Sequence, residues 1–125
     1  MSYPANSFQY GFVGALEWEL VDRDGTPHPD LATAGVTLTL RFDQSGTTGG
    51  NVFERTTATI LDASTGAIRL ITSPTTDWSS EGFVVGDGEL SIFVNVPADG
   101  TFPDGQTRPS QRWPFTVLPN ASAPS

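Results

Sequence analysis

The chain has no cysteine, no lysine and a single histidine. The first absence removes disulfides, thiolate metal sites and cysteine nucleophiles together. The second leaves nothing to complete a G-x-x-x-x-G-K-[ST] phosphate loop, and the glycines form no such cradle. The third leaves His28 with no second imidazole to share a zinc ion. No apolar run approaches the ~20 residues that carry a helix across a bilayer. The opening "MSYPANSFQYGF" lacks the basic-then-hydrophobic order of a secretory leader. Nor does any stretch repeat its apolar residues at helical spacing for long enough to predict an amphipathic helix.

Positive charge is scarce as well. Fourteen acidic residues face six basic ones, a net charge of −8. The basic residues are all arginines, at 23, 41, 55, 69, 108 and 112, and they are scattered. A nucleic acid or an anionic membrane needs clustered cations, so neither is an expected partner.

What the chain does hold is turn formers and alternation. Its 125 residues are one domain by length. Thirteen glycines and ten prolines point to short strands joined by turns. The first dozen residues carry Tyr3, Phe8, Tyr10 and Phe12 without a period, and residues 1–13 read as an N-terminal arm. In "GALEWELVD", Leu16, Trp18 and Leu20 alternate with Glu17 and Glu19. In "GVTLTLRFD", Val36, Leu38, Leu40 and Phe42 share one face. "VFERTTATILD" and "GAIRLITS" follow, joined by "DASTG", where Asp62 can start a turn and Gly66 can supply a positive φ. "ELSIFVNVP" puts Leu90, Ile92, Val94 and Val96 on one side, and "RWPFTVLP" closes with Phe115 and Val117. "QSGTTGGN" and "ADGTFPDGQTRPSQ" are loops by composition, and "PTTDWSSEGFVVGDG" has no readable period. The tail 120–125, "NASAPS", is expected to be disordered. The pattern predicts an all-β fold, a single antiparallel two-sheet sandwich of about seven strands over residues 14–119.

Three features invite a catalytic or metal reading. "VDRDGTPHPDL", residues 21–31, gathers Asp22, Asp24, Asp30 and His28. As a calcium loop it fails: Gly25 comes too early, position 33 is threonine rather than glutamate, and no helix flanks it. Asp-Gly between alternating strands is a hairpin signal, and Pro27 and Pro29 extend the backbone after it. His28 lies in that polar turn, and no serine sits in a G-x-S-x-G elbow to use it. Glu17 and Glu19, roughly 7 Å apart on one strand face, match a glycosidase spacing, but also any solvated face. No catalytic residue, metal ligand or cofactor is assigned.

The aromatics are the better candidates. Trp18 falls on the apolar side of its strand. Trp78, in "TTDWSSEGF", and Trp113, before Pro114, are possible glycan or partner contacts. Phe93 stands out, because Ile92 and Val94 take the core side and leave it outward with Ser91 and Asn95. An aromatic on an otherwise polar face can mark a contact surface. Phe93 is therefore the first interface candidate, with Tyr3, Phe8, Tyr10 and Phe12 of the arm.

The segments "LVDRDGTPHPDLATAGVTLTLRF", "DASTGAIRLI", "EGFVVGDGELSIFVNV" and "RPSQRWPFTVLP" occur in an order that resembles the N-terminal domain of phage baseplate upper proteins. Those proteins are adaptors between a tail's hub and its receptor-binding proteins, and the resemblance covers residues 14–119. It implies an immunoglobulin-like sandwich and a non-enzymatic structural subunit of a tailed phage particle, on the tail or baseplate. Other virion proteins, and copies of the chain itself, would be its partners, and the virion its location. A capsid decoration protein of the same fold is the near alternative. A carbohydrate-binding module using Trp78 and Trp113 is the more distant one.

Overall fold

A computed structural model describes residues 2–4, 7–21, 26, 27, 29–79, 81–98, 100, 101 and 103–119, without the side chains of 2–4 and 108–111. Its strands are β1 (Ser2–Pro4), β2 (Ser7–Gln9), β3 (Ala15–Glu19), β4 (Thr37–Asp43), β5 (Val52–Arg55), β6 (Thr59–Asp62), β7 (Ala67–Ile71), β8 (Gly86–Val96) and β9 (Gln106–Leu118). A single 3-10 turn, Pro29–Ala32, is the one helical element among the described residues. The strands form two sheets, one of four in the order β1-β3-β7-β6 and one of five in the order β2-β9-β8-β4-β5.

Alternation sets the faces. Leu16 and Trp18 of β3, Leu38, Leu40 and Phe42 of β4, Ile68 and Leu70 of β7, and Leu90, Ile92 and Val94 of β8 are all buried. They meet between the sheets with Phe115 and Val117 of β9, the double-layer core of a sandwich. The segment without a period supplies the hub of this core. Phe83 is fully buried, with its ring centroid 4.9 Å from Phe42, 4.9 Å from Phe53 and 5.1 Å from Phe8.

Several elements differ from the sequence reading, each for a physical reason. "VFERTTATILD" is two strands, because β5 pairs with β4 in the larger sheet and β6 with β7 in the smaller. Residues 56–58 make the crossing. β3 and β4 likewise lie in different sheets, so the connection between them arches from one layer to the other rather than closing a hairpin of those two strands. Val21 and Pro27 bridge at the base of the arch, and Leu31 plugs it into the core. Asp22–Gly25 and His28, on which the calcium and histidine readings turned, lie outside the described residues.

β9 begins at Gln106, inside a segment expected to be loop. Prolines 109 and 114 are tolerated because of where their missing N–H would point. Tyr10 donates to the Leu118 carbonyl, so Leu118 turns its backbone away from β8, and by the period of two so does Pro114. A bulge sets Arg112 opposite Ser91 but Pro109 opposite Phe93, adding one residue to β9. That shift puts Pro109 on the same outer flank.

The N-terminal arm is not free. β1 pairs with β3 and β2 with β9, both parallel, so residues 2–4 close one edge of the smaller sheet and residues 7–9 one edge of the larger. The described residues form nine strands where about seven were expected, and these two parallel pairings stand apart from the otherwise antiparallel ladders.

Candidate functional site: the outer face of the larger sheet

The face turned away from the core on β4, β8 and β9 is built in rows by the strand register. Thr39, Phe93 and Pro109 form one row, and Arg41, Ser91 and Arg112 the next. Asp43, Glu89 and Pro114 form a third. Phe93 is half-buried and flanked by the buried Ile92 and Val94, so the period of two that singled it out is the arrangement found. It lines a shallow depression of about 240 Å³ with Arg41, Asp43, Glu89, Ser91 and Arg112.

Hydrogen bonds order the surface on both sides of these rows. Asn95 donates to the Thr39 hydroxyl at 2.9 Å and accepts from the Thr107 hydroxyl at 3.1 Å. The Thr116 hydroxyl donates to Asp87 at 2.7 Å. The Ser45 side chain and backbone amide both bond the Asp43 carboxylate and hold its pKa below the ordinary aspartate value. The guanidinium groups of Arg41 and Arg112 add to that depression. Arg112 lies 4.0 Å from Glu89, with both side chains largely in solvent. The three central rows thus present, in turn, an aromatic ring (Phe93), two guanidinium groups (Arg41, Arg112) and two carboxylates (Asp43, Glu89).

The other residues singled out in the sequence lie elsewhere. Phe8 is fully buried, so the expectation of an exposed interface residue is corrected: in this chain it is core, its ring stacked 6.0 Å from Phe115. Tyr10 and Phe12 are half-buried and packed on that core. Tyr3 contributes backbone to β1, and its side chain lies outside the described set. Trp78 is not a free stacking platform. Its indole N–H donates to the Phe12 carbonyl at 2.8 Å, and its ring packs 4.9 Å from Tyr10 and 5.3 Å from Phe83. Trp113, level with the buried Leu90, is half-buried against the core. Glu17 is engaged by Arg69 across the β3–β7 ladder at 2.8 Å, while Glu19 is exposed.

Two polar anchors went unnoticed in the sequence. Gln44 is fully buried, and its amide donates to the Val84 and Gly86 carbonyls and accepts from the Val84 N–H. Beside it, a Cβ on Gly88 would fall 2.7 Å from Gln44 Cγ and 2.6 Å from Phe115 Cζ, so only glycine fits. Asp77 is fully buried and holds the Arg55 guanidinium and the Ser73 N–H, while its carbonyl accepts from Phe83. Arg55 gave a signal, since it shares the inward side of β5 with Phe53, and an inward charge requires a partner. Among the described residues, no three Asp, Glu or His side chains gather so as to hold a metal ion.

The geometry defines a two-sheet β-sandwich with a closed core and an ordered, charged outer face. No family model matches the chain, and no curated protein matches it closely enough to show kinship.

Proposed function

We propose that the chain is a non-enzymatic structural subunit of a tailed phage particle, on the tail or baseplate, and that the outer face around Phe93 joins it to its neighbours. The observation that carries the interface part of this reading is the half-buried aromatic on a hydrogen-bonded, row-patterned sheet face. Rigid sheet faces with an aromatic anchor and a polar surround suit recognition of another surface. The strand order supports the immunoglobulin-like part of the proposal: β1-β3-β7-β6 corresponds to an ABED sheet, and β9-β8-β4 to GFC. The virion part rests on the segment order that resembles baseplate upper proteins. Because Trp78 is committed to Phe12 and Tyr10 and Trp113 packs on the core, no observation favours the carbohydrate-binding alternative.

Antibody labelling of intact particles, seen by negative-stain microscopy, tests the placement. Label at the tail end is the expected result, and label on the head would move the same fold to a decoration role. Particles without label would overturn the virion reading. Independently, Phe93→Ala should reduce incorporation of the chain into particles without lowering its level in the cell.

A further inference from the structure

We infer that the partner on this face is a second copy of the chain, docked about a two-fold axis that runs across the strands between the arginine and carboxylate rows. The inference rests on the proposed use of this face and adds its occupant. Isologous contacts require that a residue meeting its partner be met by it in return. The register meets that condition. Arg41 and Asp43 lie two apart on β4, and Ser91 and Glu89 lie two apart on β8, level with them. The rows are therefore about 7 Å apart along the strands.

An axis parallel to the rows and midway between them exchanges one row for the other. Each Arg41 then comes over the partner chain's acidic row at the β4 position, and each Asp43 over its basic row. Ser91, with a hydroxyl to donate, meets the glutamate position on β8. Arg112 meets the Pro114 position on β9, with the facing β8 glutamate beside it. The perpendicular axis, along the strands, would instead set the two arginine rows against each other. Between these two alignments of the axis, charge alone thus selects the one across the strands. Phe93 sits one row outside the exchanged pair and comes over the Asp87–Thr116 bond at the rim.

The face is modest. Five strands about 4.8 Å apart make the face roughly 24 Å wide, so the ~800 Å² a side of a standard interface would need about ten residues of strand length, which β8 and β9 have and β4, with 7 residues, does not. The dimer is accordingly a concentration-dependent one. Each chain carries a net charge of −8, which opposes approach until salt screens it.

Sedimentation velocity of the whole chain in 0.15 M salt, over a concentration series, tests the arrangement. The wild type should show a monomer–dimer equilibrium. Arg41→Asp alone and Asp43→Arg alone should each weaken it at least about tenfold, since each sets like charges face to face. An equimolar mixture of the two variants should recover the dimer, because each now supplies the row the other needs, and the double swap in one chain should recover it too. If Asp43→Arg loses its Ser45 turn and melts early, Glu89→Lys replaces it, being in the same row.

A wild type that stays monomeric into the millimolar range overturns the inference. So does a dimer indifferent to both single changes, or a mixture no better than its components. The particle experiment separates the two levels: a monomeric chain whose Phe93→Ala variant still fails to incorporate would refute the self-partner and keep the face. A charge-swapped dimer with no label on any particle would do the reverse.

Discussion

Arg55 and Asp77 show what a single inward charge demands. Asp77 is fully buried and the Arg55 side chain is only 12% exposed, so each is compensated chiefly by the other. Asp77→Ala or Arg55→Ala should cost about 3–5 kcal/mol, because either leaves an unpaired charge in the core. Urea titration checks this, and a loss below about 1 kcal/mol would show that water reaches the site. Phe93→Ala should behave oppositely, changing stability by no more than about 1 kcal/mol, since the ring is outside the core. Trp18 lies between these cases. It is 5% exposed, and its indole N–H has no hydrogen-bond partner among the described residues. Trp18→Phe therefore forfeits packing but no hydrogen bond, and should be far milder than the ~3–5 kcal/mol of Trp18→Ala. The outward position of Phe93 was legible because its neighbours in sequence fix the period. The burial of Asp77 was not, because its partner lies 22 residues away and no local pattern reports a long-range ion pair.

At the scale of the strand, alternation located β3, β4, β7 and the apolar half of β8 to within a few residues. It did not locate β2, three residues long and carrying one core side chain, Phe8. So short a strand has no period to read, and its pairing with β9 spans almost the whole chain. Its weight is nonetheless considerable: Phe8→Ala should cost about 3–5 kcal/mol. Deleting residues 2–9 should lower the melting temperature rather than leave a folded core unchanged, as removal of a free arm would. A melt that does not move would show that β2 is dispensable. The turns at the ends of β4 and β6 add a dependence on pH. Asp43 is held ionised first by the Ser45 side chain, and Asp62 first by the Ser64 side chain, at 2.6 Å from the hydroxyl. Both have pKa values depressed on folding, so their stabilisation is present above the ordinary aspartate range and disappears as pH falls through the folded values. Thermal melts should be insensitive to these two groups between neutral pH and about pH 5. The Asp62→Asn variant should show a shallower acid limb than the wild type.

Across the whole molecule, the fold class followed from composition and alternation, whereas the assignment of strands to sheets depended on crossings such as residues 56–58 that carry no signature of their own. In the larger sheet β2 and β9 lie side by side, parallel, one near each end of the described chain. Parallel neighbours of this kind respond to tension in a particular way. A pull on the two ends in opposite directions drags Ser7–Gln9 lengthwise past Thr116–Leu118, so the contacts between them yield together rather than one after another. Peeling would start only once this shear clamp has failed, and failure under load is governed by the barrier to unfolding rather than by equilibrium stability. Once β1 has parted from β3, a chain pulled through its ends would therefore hold the rest of its shape up to a threshold force set largely by the three residues of β2 and the ring of Phe8.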